Sequence, residues 1–128
     1  MSYQHILLID DDEDDQEIFM TAMERLSLSE SVTCRVLSSA AEALKELESK
    51  QLVADLIFLD LNMPIMSGKE FLKHLTKSET LKVIPVIVLS TSSHLDTIKE
   101  TKELGAKDFI TKPDKFDQLV LILQSLIL

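Results

Sequence analysis

Residues 55–64 read Asp55-Leu56-Ile57-Phe58-Leu59-Asp60-Leu61-Asn62-Met63-Pro64. Four consecutive large apolar side chains, closed by an acid and soon after by a proline, predict a short strand covered on both faces, because a strand with one wet face would alternate polar and apolar residues. Two further stretches have the same character: Ile6-Leu7-Leu8-Ile9 before Asp10, and Val86-Ile87-Val88-Leu89 before Ser90. With their flanks, the three predict central strands over His5–Ile9, Asp55–Leu59 and Ile84–Leu89. Val32–Leu37 and Lys107–Thr111 carry Thr33, Arg35, Lys107 and Asp108 among their apolar residues, which suits the two edges of a sheet.

Between these runs the apolar residues change to the helical period. Ile18, Phe19, Ala22, Met23 and Leu26 fall on one helical face, as do Ala43, Leu44 and Leu47. Ser39-Ala40-Ala41-Glu42 and Ser67-Gly68-Lys69-Glu70 have capping-box spacing, in which the Ser oxygen and the Glu carboxylate satisfy free amides of the first turn. Asp114 is the expected cap of the last helix. Ser93-His94-Leu95-Asp96 is the expected start of the fourth, which should be the loosest, since it offers little apolar surface beyond Leu95, Ile98 and Leu104. In the last helix Phe116, Leu119, Val120, Leu123 and Ile127 form an inward stripe, while Leu121, Ile122 and Leu128 lie partly or wholly on other faces.

Five repeats of strand and helix imply an α/β fold: a doubly wound five-stranded parallel sheet with right-handed crossovers and helices on both faces. Three central and two edge strands suit the order 2-1-3-4-5. The chain of 128 residues is expected to be one domain, 1–128, with no linker and no second module.

Composition removes several function classes. A formal net charge of −9, from 22 Asp and Glu against 13 Lys and Arg, repels nucleic acid and anionic membrane surfaces. The single cysteine, Cys34, allows neither an internal disulfide nor a Cys-based zinc site and is expected to be a small buried residue. No apolar run approaches a membrane span or a signal-peptide core, so the expected location is cytoplasmic. His5, His74 and His94 lack metal-ligand spacing, and an EF-hand reading of the acidic run fails because twelve residues from Asp10, Asp11 or Asp12 end on Thr21, Ala22 or Met23 rather than Glu.

In a parallel sheet every strand ends on the same side, so residues just past the strand ends converge. Here those residues are Asp10-Asp11-Asp12, Asp60, Ser90-Thr91 and Lys112-Pro113. Two carboxylates ~5 Å apart repel by roughly 3 kcal/mol at an effective dielectric of about 20. Asp10, Asp11 and Asp60 therefore cannot all stay ionised unless a cation compensates or one is protonated, and Lys112 supplies only one charge. A hard divalent ion held by carboxylates, a backbone carbonyl and waters resolves the conflict, and Mg²⁺ favours such a partly hydrated shell with a phosphate oxygen in it. A carboxylate is a competent nucleophile toward an activated phosphoryl group once metal and ammonium neutralise the phosphoryl oxygens. That gives Asp60 the nucleophile's role, Lys112 that of a charge clamp and Ser90 that of a hydrogen-bond donor.

Taken together, Ile9-Asp10-Asp11, Phe58-Leu59-Asp60-Leu61-Asn62-Met63-Pro64, Ser67-Gly68, Ser90-Thr91 and Thr111-Lys112-Pro113 strongly resemble the receiver domain of two-component response regulators, in order and spacing over nearly the whole chain. The resemblance implies a flavodoxin-like fold of the stand-alone, chemotaxis-regulator type. It implies that Asp60 is the phosphoacceptor, that Asp11 ligates Mg²⁺ directly, that Asp10 acts through a metal-bound water and that Asn62 lends its backbone carbonyl. Ser90 and Phe109 match the switch positions, with Ser and Phe where Thr and Tyr are commoner. The implied partners are a sensor histidine kinase or a histidine phosphotransfer protein, and a downstream protein target reached without an output domain after Leu128. Such a protein is not a conventional enzyme; it catalyses only its own phosphorylation and dephosphorylation. A homodimer through the Phe109 and Leu121 region and an ordinary broad core helix are both open readings of the last helix. Two other classes fit less well. A small-molecule phosphatase with an Asp nucleophile needs a second Asp where Asn62 stands, together with a cap segment, and a phosphorylation-independent interaction module would not need the full set Asp10, Asp11, Asp60, Ser90 and Lys112.

Overall fold

The computed structural model describes residues 3–26, 32–92 and 94–128. Strand and helix alternate along them: β1 (His5–Ile9), α1 (Glu13–Arg25), β2 (Thr33–Leu37), α2 (Ala40–Glu48), β3 (Leu56–Leu59), α3 (Gly68–Lys77), β4 (Val86–Ser90), α4 (Leu95–Glu103), β5 (Asp108–Thr111) and α5 (Phe116–Ile127). All neighbouring strands pair in parallel, in the order β2-β1-β3-β4-β5, which is the doubly wound sheet expected from the sequence.

The uninterrupted aliphatic runs sit where solvent is excluded from both faces of the sheet. Leu7, Ile9, Ile57, Leu59, Val86 and Val88 point into the layer under α2 and α3, with Phe71, Leu72, Leu75 and Phe109. Their alternate neighbours Ile6, Leu8, Leu56, Phe58, Ile87 and Leu89 point into the layer under α1 and α5, with Phe19, Leu119, Leu123 and Ile127. Each such side chain contributes about 1.5–3 kcal/mol on leaving water. Phe58 and Phe19 add an edge-on aromatic contact at 5.2 Å between ring centroids. The edge strand β2 buries none of its residues fully, Cys34 included.

Helix starts follow the side chains available. Ser39 and Ser67 accept hydrogen bonds from the Glu42 and Glu70 amides, as their spacing predicts. Asp12 caps α1 by accepting from the amides of Asp14 and Asp15. Asp114 does not cap α5: the helix begins one residue later than expected, Lys115 is its N-cap, and no side chain bonds the first turn. His94 holds the corresponding place at α4, again without a side-chain bond, and Ser93 lies outside the described residues. Only Thr101 of α4 is buried, in keeping with its sparse apolar surface. In α5 the stripe Leu119, Leu123 and Ile127 is buried, Phe116 and Val120 are half-buried, and Leu121 and Leu128 are exposed. Arg25 of α1 lies over the Phe116 ring at 5.3 Å and ties the two helices of this face together.

Candidate functional site

The register of the sheet assembles the site. Ile9 pairs with Leu59, so Asp10 and Asp60, one residue further on, leave adjacent strands side by side. The ladder continues into the loops: the Asp60 amide donates to the Ile9 carbonyl at 2.9 Å, the Asp10 amide to the Leu37 carbonyl at 3.0 Å and the Lys112 amide to the Ser90 carbonyl at 2.7 Å. These bonds fix the backbone at Asp10, Asp60 and Lys112. Gln16 adds a tie by donating to the Asp10 carbonyl at 2.6 Å and to the Ser38 hydroxyl at 2.9 Å.

Asp10, Asp11 and Asp60 each offer a carboxylate oxygen such that all three lie within 4.8 Å of one another. Asp10 and Asp60 are buried and Asp11 is exposed, so the cluster opens to solvent on one side. Burial raises the Asp60 carboxyl to about 6; the neighbouring charges of Asp10 and Asp11 push the same way, and Lys112 and the Asn62 amide offset only part of the effect. Asp10 is raised by burial too, although it accepts from the Asp12 amide at 3.0 Å and faces Lys112. The raised acid and the three converging oxygens are a donor set that suits a small hard divalent cation.

Lys112 reaches this cluster from the end of β5. Its Nζ lies 3.1 Å from Asp10 Oδ2 and 3.7 Å from Asp60 Oδ1, but its shortest contact, 2.8 Å, is to Asp15 Oδ2 on the first turn of α1. Burial alone would lower the lysine; the hydrogen bond to Asp15 and the charges of Asp10 and Asp60 lift it above its ordinary value instead. Ser90 is fully buried, and its oxygen accepts from the Ser92 amide at 3.1 Å, a bond that leaves its own proton free to donate. Phe109 faces the α2–α3 layer and is buried, whereas Thr91 is exposed. A cleft on the far side of the cluster from α1 is lined by Asn62, Ser67, Lys69, Ser90, Ser92 and Thr97.

The structure thus brings together Asp10, Asp11, Asp60 and Lys112, with Ser90 at the adjoining cleft. Sequence reasoning missed Asp15, which reads as one more acid in a solvated helix start; its place five residues after Asp10, within the first turn of the helix, is the signal that would have found it.

The loop carrying Asp60 into α3 is tightly bound. The buried Gly68 donates its amide to the Leu61 carbonyl at 3.0 Å. In the same loop Ile65 is almost fully exposed at 98% and has φ of +70°, a left-handed conformation that is costly for a β-branched residue. Ile65→Gly is expected to stabilise the protein by about 1 kcal/mol, the relief of that conformation outweighing the greater freedom of glycine in the unfolded chain. Urea denaturation checks it, and a lower midpoint for the variant would contradict it.

Comparison with known proteins places these features in a wider set. The family model described as the response regulator receiver domain matches residues 6–124. The two-component response regulator ARR6 of Arabidopsis thaliana is 33% identical over 131 residues, covering 95% of this chain and 68% of that protein. The chain spans about half the length of the response regulator ORR1 of Oryza sativa, at 33% identity, and nearly the whole of ORR8 of the same species, at 34% identity over 90% of this chain and 91% of that protein. Among solved structures, that of the phosphorylated cyanobacterial phytochrome response regulator RcpA superposes with a TM-score of 0.86 at 31% identity, over 98% of this chain and 91% of that one. The Mn²⁺-bound form of response regulator Rcp1 superposes with a TM-score of 0.84 at 26% identity, over 96% and 91% of the two chains.

Proposed function

The chain belongs to the response regulator receiver family, whose members are phosphoacceptor regulators rather than conventional enzymes, and we propose that in this member Asp60 takes a phosphoryl group from a histidine-bound donor and thereby changes the surface offered to other proteins. The observation that carries the reading is the buried Asp60 carboxylate between two further carboxylates and an ammonium, a place where one oxygen is kept nucleophilic and the charge of an incoming phosphoryl group is met. The phosphorylated RcpA and Mn²⁺-bound Rcp1 structures support it by similarity.

In this reaction an Asp60 oxygen forms the new bond to phosphorus while the phosphorus–nitrogen bond of the donor phosphohistidine breaks, its electron pair returning to the imidazole. Asp10, Asp11, Asp60 and the Asn62 carbonyl are the residues that would hold Mg²⁺, which when bound supplies positive charge to the phosphoryl oxygens. Lys112 donates to one phosphoryl oxygen from the β5 side. Ser90 donates its free proton to another, and the pull on its hydroxyl loosens the bond to the Ser92 amide and so shifts the loop into α4. Space beside Ser90 is then open to Phe109. The added group carries roughly two negative charges, enough to favour one of two arrangements of so lightly attached a helix. The donor is a sensor histidine kinase or a histidine phosphotransfer protein, and a second protein reads the altered surface.

Incubation with Mg²⁺ and a small acyl phosphate, followed by intact-mass measurement and peptide mapping, tests this. One phosphoryl group per chain is expected, on the peptide containing Asp60 and only with the cation present. Addition at another residue, or equal addition in a chelator, would overturn the assignment.

A further inference from the structure

The mechanism above gives Lys112 to the phosphoryl group, yet the lysine's tightest contact is elsewhere. Its Nζ is 2.8 Å from Asp15 and 3.7 Å from Asp60, with Asp10 between them at 3.1 Å. Asp15 is set for this contact by the helix it stands on. The Asp12 side chain accepts from the Asp14 and Asp15 amides and fixes the first turn, so the Asp15 carboxylate projects back over the strand ends. A crevice on that side is lined by Asp15, Ile18, Phe19, Lys112, Pro113 and Leu119, so the lysine and Asp15 share one wall of it. The Lys112 side chain is 19% exposed, which shields its ion pairs from water more than an ordinary surface pair.

We propose that Asp15 is a positioning residue that draws Lys112 toward α1 and competes with the phosphoryl group for its ammonium, so lowering the affinity of the site for that group. The proposal rests on Asp60 being the phosphoacceptor and adds to it a residue that sets how readily the site fills. An ammonium has three protons, and in the resting state Asp15 and Asp10 each take one in a short bond. The third proton is free, but Nζ is held 3.7 Å from Asp60, and to approach a group carried there the ammonium must move off its 2.8 Å contact with Asp15. Asp15 also adds a negative charge beside the incoming anion. Both effects disappear when the carboxylate becomes an amide, and both return if Glu restores the charge.

The test uses beryllofluoride, a mimic of the phosphoryl group, titrated calorimetrically into the intact protein at saturating Mg²⁺. Asp15→Asn is expected to bind it about fivefold more tightly than the wild type, the size set by one partly shielded ion pair. Asp15→Glu is expected to return to the wild-type affinity. Asp14→Asn removes the same charge one residue away, where no contact with Lys112 exists, and is expected to leave the affinity unchanged. Equal or weaker binding by Asp15→Asn would overturn the proposal, and so would equal tightening by Asp14→Asn, which would mark a general charge effect. A merely structural role predicts looser binding and no recovery with Glu. If the wild type took up no beryllofluoride, the assignment of Asp60 would fall and this proposal with it, whereas a wild type that binds alongside an unaltered Asp15→Asn would sink only the role of Asp15.

Discussion

Asp60→Asn is expected to unfold at a higher temperature than the wild type in metal-free buffer at pH 7, while losing phosphoryl uptake completely. The two effects have one cause. Asp60 is a buried carboxylate among other carboxylates, and its pKa of about 6 lies above the ordinary value of 3.8. Between those values the native state binds a proton that the unfolded chain does not, so stability declines as pH rises from about 4 to 6 and the full penalty is present at pH 7. A shift of two units corresponds to about 3 kcal/mol. The amide has nearly the same shape and no charge, and because it must still find hydrogen-bond partners, a gain of roughly 2 kcal/mol is expected. Scanning both proteins between pH 4 and pH 8 isolates the effect of this residue: the gap in melting temperature should be absent near pH 4, open as pH rises from about 4 to 6, and stay constant above that. Mg²⁺ should narrow the gap by stabilising the wild type, since a ligand of the native state alone raises its stability. Melting curves that coincide at pH 7 would show that the carboxylate is not under this strain.

Gly68→Ala should be destabilising by about 3 kcal/mol, although alanine is the better helix former by about 1 kcal/mol. Gly68 opens α3 immediately under the Asp60 loop. A Cβ there would stand 2.5 Å from the Asp60 carbonyl oxygen and 2.8 Å from the Leu61 Cα, and backbone cannot swing aside as a side-chain tip can. Relief requires the helix and the Asp60 loop to separate, which stretches the bond from the Gly68 amide to the Leu61 carbonyl. The variant should therefore also take up phosphoryl groups from an acyl phosphate more slowly when compared below its own melting transition. Guanidinium denaturation measures the first effect, and a midpoint equal to that of the wild type would show that the loop yields at little cost.

Much of this architecture is written in short runs of sequence. Ile6–Ile9, Leu56–Leu59 and Val86–Leu89 are apolar without alternation, and only a sheet covered on both faces accepts that pattern. Once the strand order is granted, the meeting of Asp10, Asp60 and Lys112 follows from register and needs no knowledge of side-chain angles. What the sequence hid depends on local geometry. Asp15 becomes a partner of Lys112 only because Asp12 sets where α1 begins, and a shift of one residue would turn it about 100° away. Asp114 and Lys115 differ by a similar step: an acid suited to capping stands one place too early, and the helix starts without it. The burial of Ser90 was hidden too, since a hydroxyl at a strand end reads equally well as exposed.

The attachment of α4 has a consequence for how the molecule breathes. Segments held by little buried surface open at the least cost in free energy, and α4 contributes a single fully enclosed side chain, Thr101, to the interior. Among the described helices, local melting therefore costs least at α4, adjacent to Ser90, while Asp10 and Asp60 are clamped to the sheet. A soft joint and a hard one lie within one loop of each other.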